Sequence, residues 1–241
     1  MKTLFWGLNM LAIMAVTTPP VLAGLHPYPP LSPVLISGAA GTKTRQTTVV
    51  SDINKAGEAL RRLYLSMNVE NLWIAGHHIN WETGQPDQPG AVQGTATHCS
   101  AFVAAACKYA GIYILRPPEH KQILLANAQY TWLTAQTGSD HGWSPVTVTD
   151  HTYLEVQNLA NTGNVVVAVY KNSNPHKPGH IALVMPATVT LQMLADQGPV
   201  VIMAGTHNHA YISLRKGFKS HITDWPSSDV QFFTQRLLKT E

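Results

Sequence analysis

The sequence QGTATHCSAFVAAACKYAGI, residues 93–112, decides the fold. Its first six residues are typical of a loop, whereas the part from Ser100 onward is rich in alanine, the best helix former. Lys108 suits the negative end of a helix, and Gly111 is typical of the residue just past that end. The pattern therefore predicts a helix that begins close to Cys99.

Cys99 in this position is a candidate nucleophile. The backbone N–H groups of a first helical turn are unpaired and carry partial positive charge, which favours a thiolate over a thiol. Gln93 lies six residues upstream, so a folded loop can bring its amide close enough to serve as an oxyanion donor. The competing interpretation is an ordinary buried cysteine on a core helix, because cysteine is among the most buried residue types.

The N-terminal 23 residues have the features of a secretion signal. Lys2 is followed by a largely apolar core over residues 4–16, and Val21-Leu22-Ala23 fits a small-residue cleavage site. The core is too short to span a bilayer comfortably. We therefore expect export to the periplasm or the medium, with no membrane span in the mature protein. A proline-rich arm is expected over residues 24–50 and one catalytic domain over residues 51–241.

The expected export raises the question whether the two cysteines of the chain, Cys99 and Cys107, form a disulfide. On one helix they are ~12 Å apart along the axis, whereas a disulfide needs Cα atoms within about 7 Å. We therefore expect no bond between them, although exported proteins enter compartments that favour disulfides. A free thiol in that setting favours a functional role for Cys99.

The rest of the chain predicts an α+β fold. A helix is expected from a cap at Ser51 to about Met67, and strands follow the helices in the order that is typical of this class. Further helices are predicted over residues 119–137, 153–160 and 191–195, and strands over residues 165–170, 180–185, 199–204 and 230–235. The net charge of +3 comes with scattered basic residues, which gives no sign of nucleic-acid binding.

A cysteine nucleophile needs a base, and the base needs an orienting group. His180 opens a predicted strand after a glycine-containing loop, where its side chain can face a cleft. His207 and Asn208 follow the next strand directly and are both candidates for the orienting group. Because a strand places alternate side chains on opposite faces, the two cannot both point at His180 if the strand continues.

The block from His98 to Val103, with Gly111-Ile112 at the helix end, resembles the NlpC/P60 signature, Asp-Cys-Ser-Gly-Phe-Val followed by a Gly-Ile helix end. Residues 165–170 and 179–184 resemble the strand, loop and Gly-His-Val strand of that family, and the related CHAP amidases are similar in the same places. The resemblance covers roughly residues 73–213. It implies a papain-like fold in which the nucleophile helix packs on a mostly antiparallel sheet.

The same resemblance implies a thiol hydrolase that cleaves amide bonds in peptidoglycan peptides, without a metal or cofactor. Its family often uses a second histidine in the third catalytic position, which favours His207 over Asn208. His98 stands where the family has an aspartate, and we expect it to line the substrate site with Trp81. The sequence does not indicate which wall is attacked or whether an inhibitor or immunity protein exists.

Two other functions remain open at this point. The chain has many histidines, and a zinc-dependent hydrolase would use a cluster of them, but no H-E-x-x-H or paired C-x-x-C motif is present. The histidines of that cluster would be His77, His78, His98, His207 and His209. The other alternative is a non-enzymatic cell-wall-binding module on the same fold, in which Cys99 serves only for packing.

Overall fold

The computed structural model describes residues 52–88, 90, 94 and 96–237. The predicted signal and arm, the predicted cap Ser51 and the candidate oxyanion donor Gln93 lie outside these residues. In the described part of the chain, the helices are α1 (Lys55–Ser66), α2 (Cys99–Tyr109), α3 (Leu125–Thr134), α4 (Gln136–Asp140), α5 (Thr152–Asn161), α6 (Leu191–Gln197) and α7 (Leu214–Gly217).

The strands of the described residues form one sheet of six, in which every neighbouring pair is antiparallel. They are β1 (Ser144–Pro145), β2 (Asn164–Tyr170), β3 (His180–Val184), β4 (Val200–Met203), β5 (His209–Ser213) and β6 (Val230–Arg236). Their order across the sheet is β1-β6-β2-β3-β4-β5. The predicted α+β class with a mostly antiparallel sheet is confirmed.

Helix α2 is buried from Cys99 through Cys107, without an exposed residue between them. A helix that is apolar on all sides belongs in a core, and its alanines allow close approach by its neighbours. At its end the N–H of Gly111 donates to the carbonyl of Lys108, and that of Ile112 donates to the carbonyl of Cys107. Gly111 has φ 75°, so this is the Schellman ending that glycine makes possible.

The two faces of the sheet are both covered, which explains the uninterrupted apolar run of β2. We call the face that carries Val165, Val167, Val169, Ile181 and Leu183 the helix face, because these residues share a core cluster with α1 and α2. We call the face that carries Val166, Ala168, Ala182 and Val184 the far face. Its cluster includes Val156 and Ala160 of α5 and Phe218.

The helix predicted over residues 119–137 is wrong as a single element. Leu124 has φ 56°, a left-handed backbone that delays the start of α3 to Leu125, and Ile123 is 76% exposed. Ala135 is extended, which separates α3 from α4, and α4 begins at Gln136. Composition predicts helical residues here, but not the two backbone breaks.

The first helix begins later than its predicted cap. Asn54 is the residue that caps α1, and its side-chain oxygen accepts a hydrogen bond from the N–H of Gly57 at 2.8 Å. The elements predicted over residues 153–160, 165–170, 180–185, 191–195, 199–204 and 230–235 are confirmed with small shifts of their ends. Strands β1 and β5 and the short helix α7 were not predicted.

Candidate active site

Cys99 is the first residue of α2, and the segment before it is held by His98. The Nε2 of His98 lies 2.9 Å from the carbonyl oxygen of His77, and the side chain makes no capping bond to the helix. The unpaired N–H groups of the first turn therefore remain beside the thiol. Both cysteines are free, as expected, and Cys99 keeps 5% exposure where Cys107 keeps none.

The Cys99 thiol adjoins strand β3 as well as its own helix. Burial raises the pKa of this thiol, and the backbone N–H of Ile181 is the first of the groups that act in the opposite direction. The backbone N–H groups of Ser100 and Cys99 and the Ser100 hydroxyl follow. Because burial is the larger effect, the resting side chain is a neutral thiol rather than the thiolate that the helix start alone predicts.

The Ile181 amide is available to the thiol because of the sheet register. Strand β3 pairs with β4 at Leu183↔Ile202 and Val184↔Val201, and the N–H of Met185 donates to Val200. Alternate N–H groups of a strand point to the same side, so the N–H of Ile181 also points toward β4. The described pairing with β4 ends before it reaches Ile181, which leaves room for the sulfur.

His180 is the first residue of β3, and its imidazole is buried, with 4% of the residue exposed. Its ring stacks on that of His221, with centroids 5.0 Å apart and planes at 12°, and meets the ring of Phe218 edge-on at 4.7 Å. Its Nε2 atom has no hydrogen-bond partner among the described residues. Burial, and then the charge of His221, lower the pKa of His180 to about 3.

The Cys99 thiol lies beside the backbone of His180, because the amide next to the sulfur belongs to the peptide bond between His180 and Ile181. The contacts of the His180 ring, however, are on the far face of the sheet, with Phe218 and His221. The pKa directions also differ from those of a thiolate–imidazolium pair, since burial raises the pKa of the thiol and lowers that of the imidazole. The resting groups are therefore both neutral.

Asn208 ties two distant segments together instead of orienting a histidine. Its side-chain oxygen accepts from the N–H of Gly205 at 2.9 Å, and its amide nitrogen donates to the carbonyls of Val69 at 2.8 Å and Leu72 at 2.7 Å. None of these bonds reaches His180. His207, the preferred candidate from the sequence, is exposed.

The two predicted substrate-binding residues have different surroundings. His98 is buried, and burial lowers the pKa of its imidazole. Its contact with the carbonyl of His77 attaches that part of the chain to the start of α2. Trp81 is partly buried, with the Lys108 ammonium 5.6 Å from its ring centre and the Arg116 guanidinium at 6.0 Å. Nothing in these contacts assigns either residue to a substrate.

Sequence reasoning missed three residues that shape the site. Phe218 and His221 enclose the His180 ring, although a lone histidine far along the chain gave no signal of that contact. Gln129 of α3 is fully buried, and its amide donates to the carbonyls of Ser100 at 3.2 Å and Leu115 at 3.0 Å. A glutamine on the apolar side of a predicted helix is a signal that could have been used.

The histidines proposed for a zinc site do not gather into one. Nowhere in residues 52–88, 90, 94 and 96–237 do three or more His, Cys, Asp or Glu side chains approach as metal ligands would. His78 instead pairs with Asp87 through Nδ1, and the amide of Gln88 lies 3.5 Å from its Nε2.

Comparison with known proteins adds no assignment. No family model matches the sequence, and no curated protein matches it. Within the described residues, none of the helices combines the length and the apolar character needed to cross a membrane.

Replacing Asn208 tests whether it is a structural tie. We expect Asn208→Ala to lower the free energy of unfolding by on the order of 2 kcal/mol, because the N–H of Gly205 and the carbonyls of Val69 and Leu72 lose their partner. Asn208→Asp should cost more, since a carboxylate cannot donate to carbonyls. Urea unfolding measures both. His207→Ala is the matched control, and an equal loss in that variant would contradict the assignment.

Acid should destabilise the fold through His180. Its folded pKa of about 3 is below the unfolded value near ~6.5, so the contribution to stability is complete above pH ~6.5 and is lost as pH falls toward 3. The slope from this group is at most about 1.4 kcal/mol per pH unit. We expect His180→Gln to flatten the dependence of unfolding free energy on pH between 4 and 7. The exposed His176→Gln should not, and equal slopes in all three proteins would refute the prediction.

Proposed function

We propose that this protein is an exported cysteine hydrolase that cleaves amide bonds in bacterial cell-wall peptides. The observation that carries the proposal is the position of Cys99. Its thiol lies at the start of a buried helix and beside the amide of Ile181, the residue that follows His180. The thiol of one motif therefore lies beside the peptide bond between His180 and Ile181 of the other motif, which supports the assignment of the two as nucleophile and base.

The proposed scaffold is papain-like, of the NlpC/P60 type. The support is the order of elements, in which α2 packs against β3 of an antiparallel sheet, together with the resemblance of residues 98–112 and 165–184 to that family's blocks. The departures are the histidine before the nucleophile and the helices α3, α4 and α5, which lie between the two blocks.

In the proposed reaction, the Cys99 sulfur attacks the carbonyl carbon of the scissile amide while His180 takes the thiol proton. Because both groups are neutral at rest, proton transfer accompanies the attack, as in general-base catalysis. The backbone N–H of Cys99 and the side chain of Gln93 are the expected donors to the oxyanion. The amine leaves with the proton from His180, and water then hydrolyses the thioester to restore the thiol.

The wall peptide is proposed as substrate on two grounds. The predicted secretion signal would deliver the protein to a compartment where peptidoglycan is the abundant amide polymer. The motifs around Cys99 and His180 resemble those of families that act on that polymer. Residues of the first 51 positions lie outside the described structure, so export itself is part of the proposal.

Digestion of purified sacculi tests this function. We expect the mature protein to release new free amino groups from sacculi, and Cys99→Ala to abolish that release because the nucleophile is gone. Cys107→Ala is the matched control on the same helix and should retain activity. The assay is amino-group quantification with mass analysis of fragments, run beside casein. Cleavage of casein without cleavage of any sacculus would remove the wall assignment.

One observation favours a second candidate, the non-enzymatic cell-wall-binding module. Burial raises the pKa of the Cys99 thiol, and only 5% of the residue is exposed, which is the state of a cysteine retained for packing. Hydrolase and binding module predict different thiol chemistry, because only the hydrolase uses His180 to activate the sulfur.

Iodoacetamide separates the two candidates. In Cys107→Ala, which retains only Cys99, we expect alkylation of the native protein at neutral pH and at least about a tenfold slower rate when His180→Gln is added. In Cys99→Ala, which retains only Cys107, we expect no native alkylation, since that thiol is fully buried and burial raises its pKa far above the usual value. A Cys99 as inert as Cys107 would favour the binding module.

A further inference from the structure

The imidazole of His180 is enclosed by rings that belong to a distant part of the chain. His221 stacks on one face of it, and Phe218 meets it edge-on. Tyr170 at the end of β2 has its ring 5.2 Å from that of His221. On another side, a side-chain carbon placed on Gly205 would lie 3.9 Å from Cε1 of His180. The orientation of the His180 ring is therefore defined by its neighbours and not by a hydrogen bond at Nε2.

The segment that carries His221 is itself held in place. After α7 the N–H of Phe218 donates to the carbonyl of Leu214, and the N–H of His221 donates to the carbonyl of Phe218 at 2.8 Å. Leu214 and Phe218 are both buried in the cluster on the far face. A turn of this kind keeps Phe218 and His221 on the same side of the chain, so the stack rests on an anchored segment.

Stacking and hydrogen bonding have different consequences for His180. Two imidazoles that lie nearly parallel cannot donate to one another's ring nitrogens, so His221 does not orient His180 in the way that a third catalytic residue would. It acts by contact and by exclusion of water. It also disfavours a proton on His180, because two positive rings would then face each other in a poorly solvated site.

The other titratable groups around the pair do not oppose this effect. From β2 the phenol of Tyr170 contacts His221, and from α2 the Cys99 thiol adjoins the Ile181 amide. The charged residues that share the segment of His221 are Arg215, Lys216, Lys219 and Asp224, and all four are exposed. Burial also lowers the pKa of His221, and the causes that set the pKa of His180 are burial and His221 itself.

We propose that His221 is a positioning residue that holds the imidazole of His180 in its plane, against Phe218 on the far face of the sheet, and keeps water away from it. The assignment of His180 as the base rests on the proposed function. The effect of the stack on the protonation of His180 does not depend on it, and that effect can be measured without a substrate.

The experiment is an NMR titration of the purified protein with isotope-labelled histidine, in which the His180 signal is identified by its absence from His180→Gln. We compare wild type, His221→Phe, His221→Ala and the exposed control His176→Ala. His221→Ala should admit water and raise the midpoint of His180 from about 3 to ~5 or above, toward the ordinary value near ~6.5. His221→Phe retains an aromatic ring over His180 without a charge, so its His180 should stay neutral at pH 5, as in wild type.

A parallel readout is the alkylation of Cys99 at pH 5 relative to pH 8, in the Cys107→Ala background. We expect this ratio to fall in His221→Ala and to be restored in His221→Phe. If His221→Ala does not fold, His221→Gln takes its place, because it removes the ring while preserving much of the volume. A His180 midpoint unchanged in the folded variant would overturn the proposal.

The outcomes separate this inference from the proposed function. A shifted His180 midpoint in a protein that digests no sacculus would leave the positioning role intact and end the hydrolase assignment. An unchanged His180 midpoint in a protein that does digest sacculi would overturn the positioning role and leave the hydrolase assignment intact.

Discussion

Helix α2 packs against the sheet with alanine at four of its nine buried positions, and this contact locates the candidate site. The alanines at positions 101 and 104–106 add little bulk to the helix and so favour its close approach to β3. The helix start is then buried as well, and its polar groups must find partners inside the protein. Gln129 meets the carbonyl of Ser100, and the imidazole of His98 meets the carbonyl of His77.

The same burial decides the electrostatics of the thiol. Amide N–H groups at a helix start favour a thiolate, and the Ile181 amide adds to them, but removal of water from the sulfur outweighs their sum. Burial also disfavours the charged form of His180 and therefore lowers the pKa of its imidazole, so that both members of the pair are uncharged. Because the helix start is tightly packed, a proton transfer that accompanies attack by the Cys99 sulfur is favoured over a thiolate–imidazolium pair that exists before the reaction.

Local signals in the sequence were sufficient for the elements that form the centre of the fold. Helix α2 follows from its alanines and Gly111, and the buried strand β2 follows from a run of β-branched residues. These preferences act within a few residues, so tertiary contacts reinforce them. The break at Leu124 could not be predicted in this way, because a left-handed leucine is adopted only where its surroundings require it.

The site was less predictable because its contacts are long-range. Cys99 and His180 were identified from motifs, but the role of Asn208 depends on carbonyls more than 130 positions away. The stack of His221 on His180 joins residues that no periodicity relates. A histidine followed by an asparagine after a strand is compatible with a catalytic or a structural role, and only the hydrogen-bond partners distinguish the two.

The Cys99 thiol belongs to the core cluster of the helix face, whereas the imidazole of His180 lies on the far face. The two residues approach one another at the edge of β3. The amide that meets the sulfur points along the plane of the sheet, toward the side where pairing with β4 has ended. The Cys99 sulfur is therefore close to the plane between the two faces. Standard bond lengths place the Cβ of His180 only about 3 Å from the Ile181 nitrogen. From the far face, the His180 ring would reach the sulfur by rotation about its side-chain bonds, and the rings of Phe218 and His221 are what such a rotation must displace.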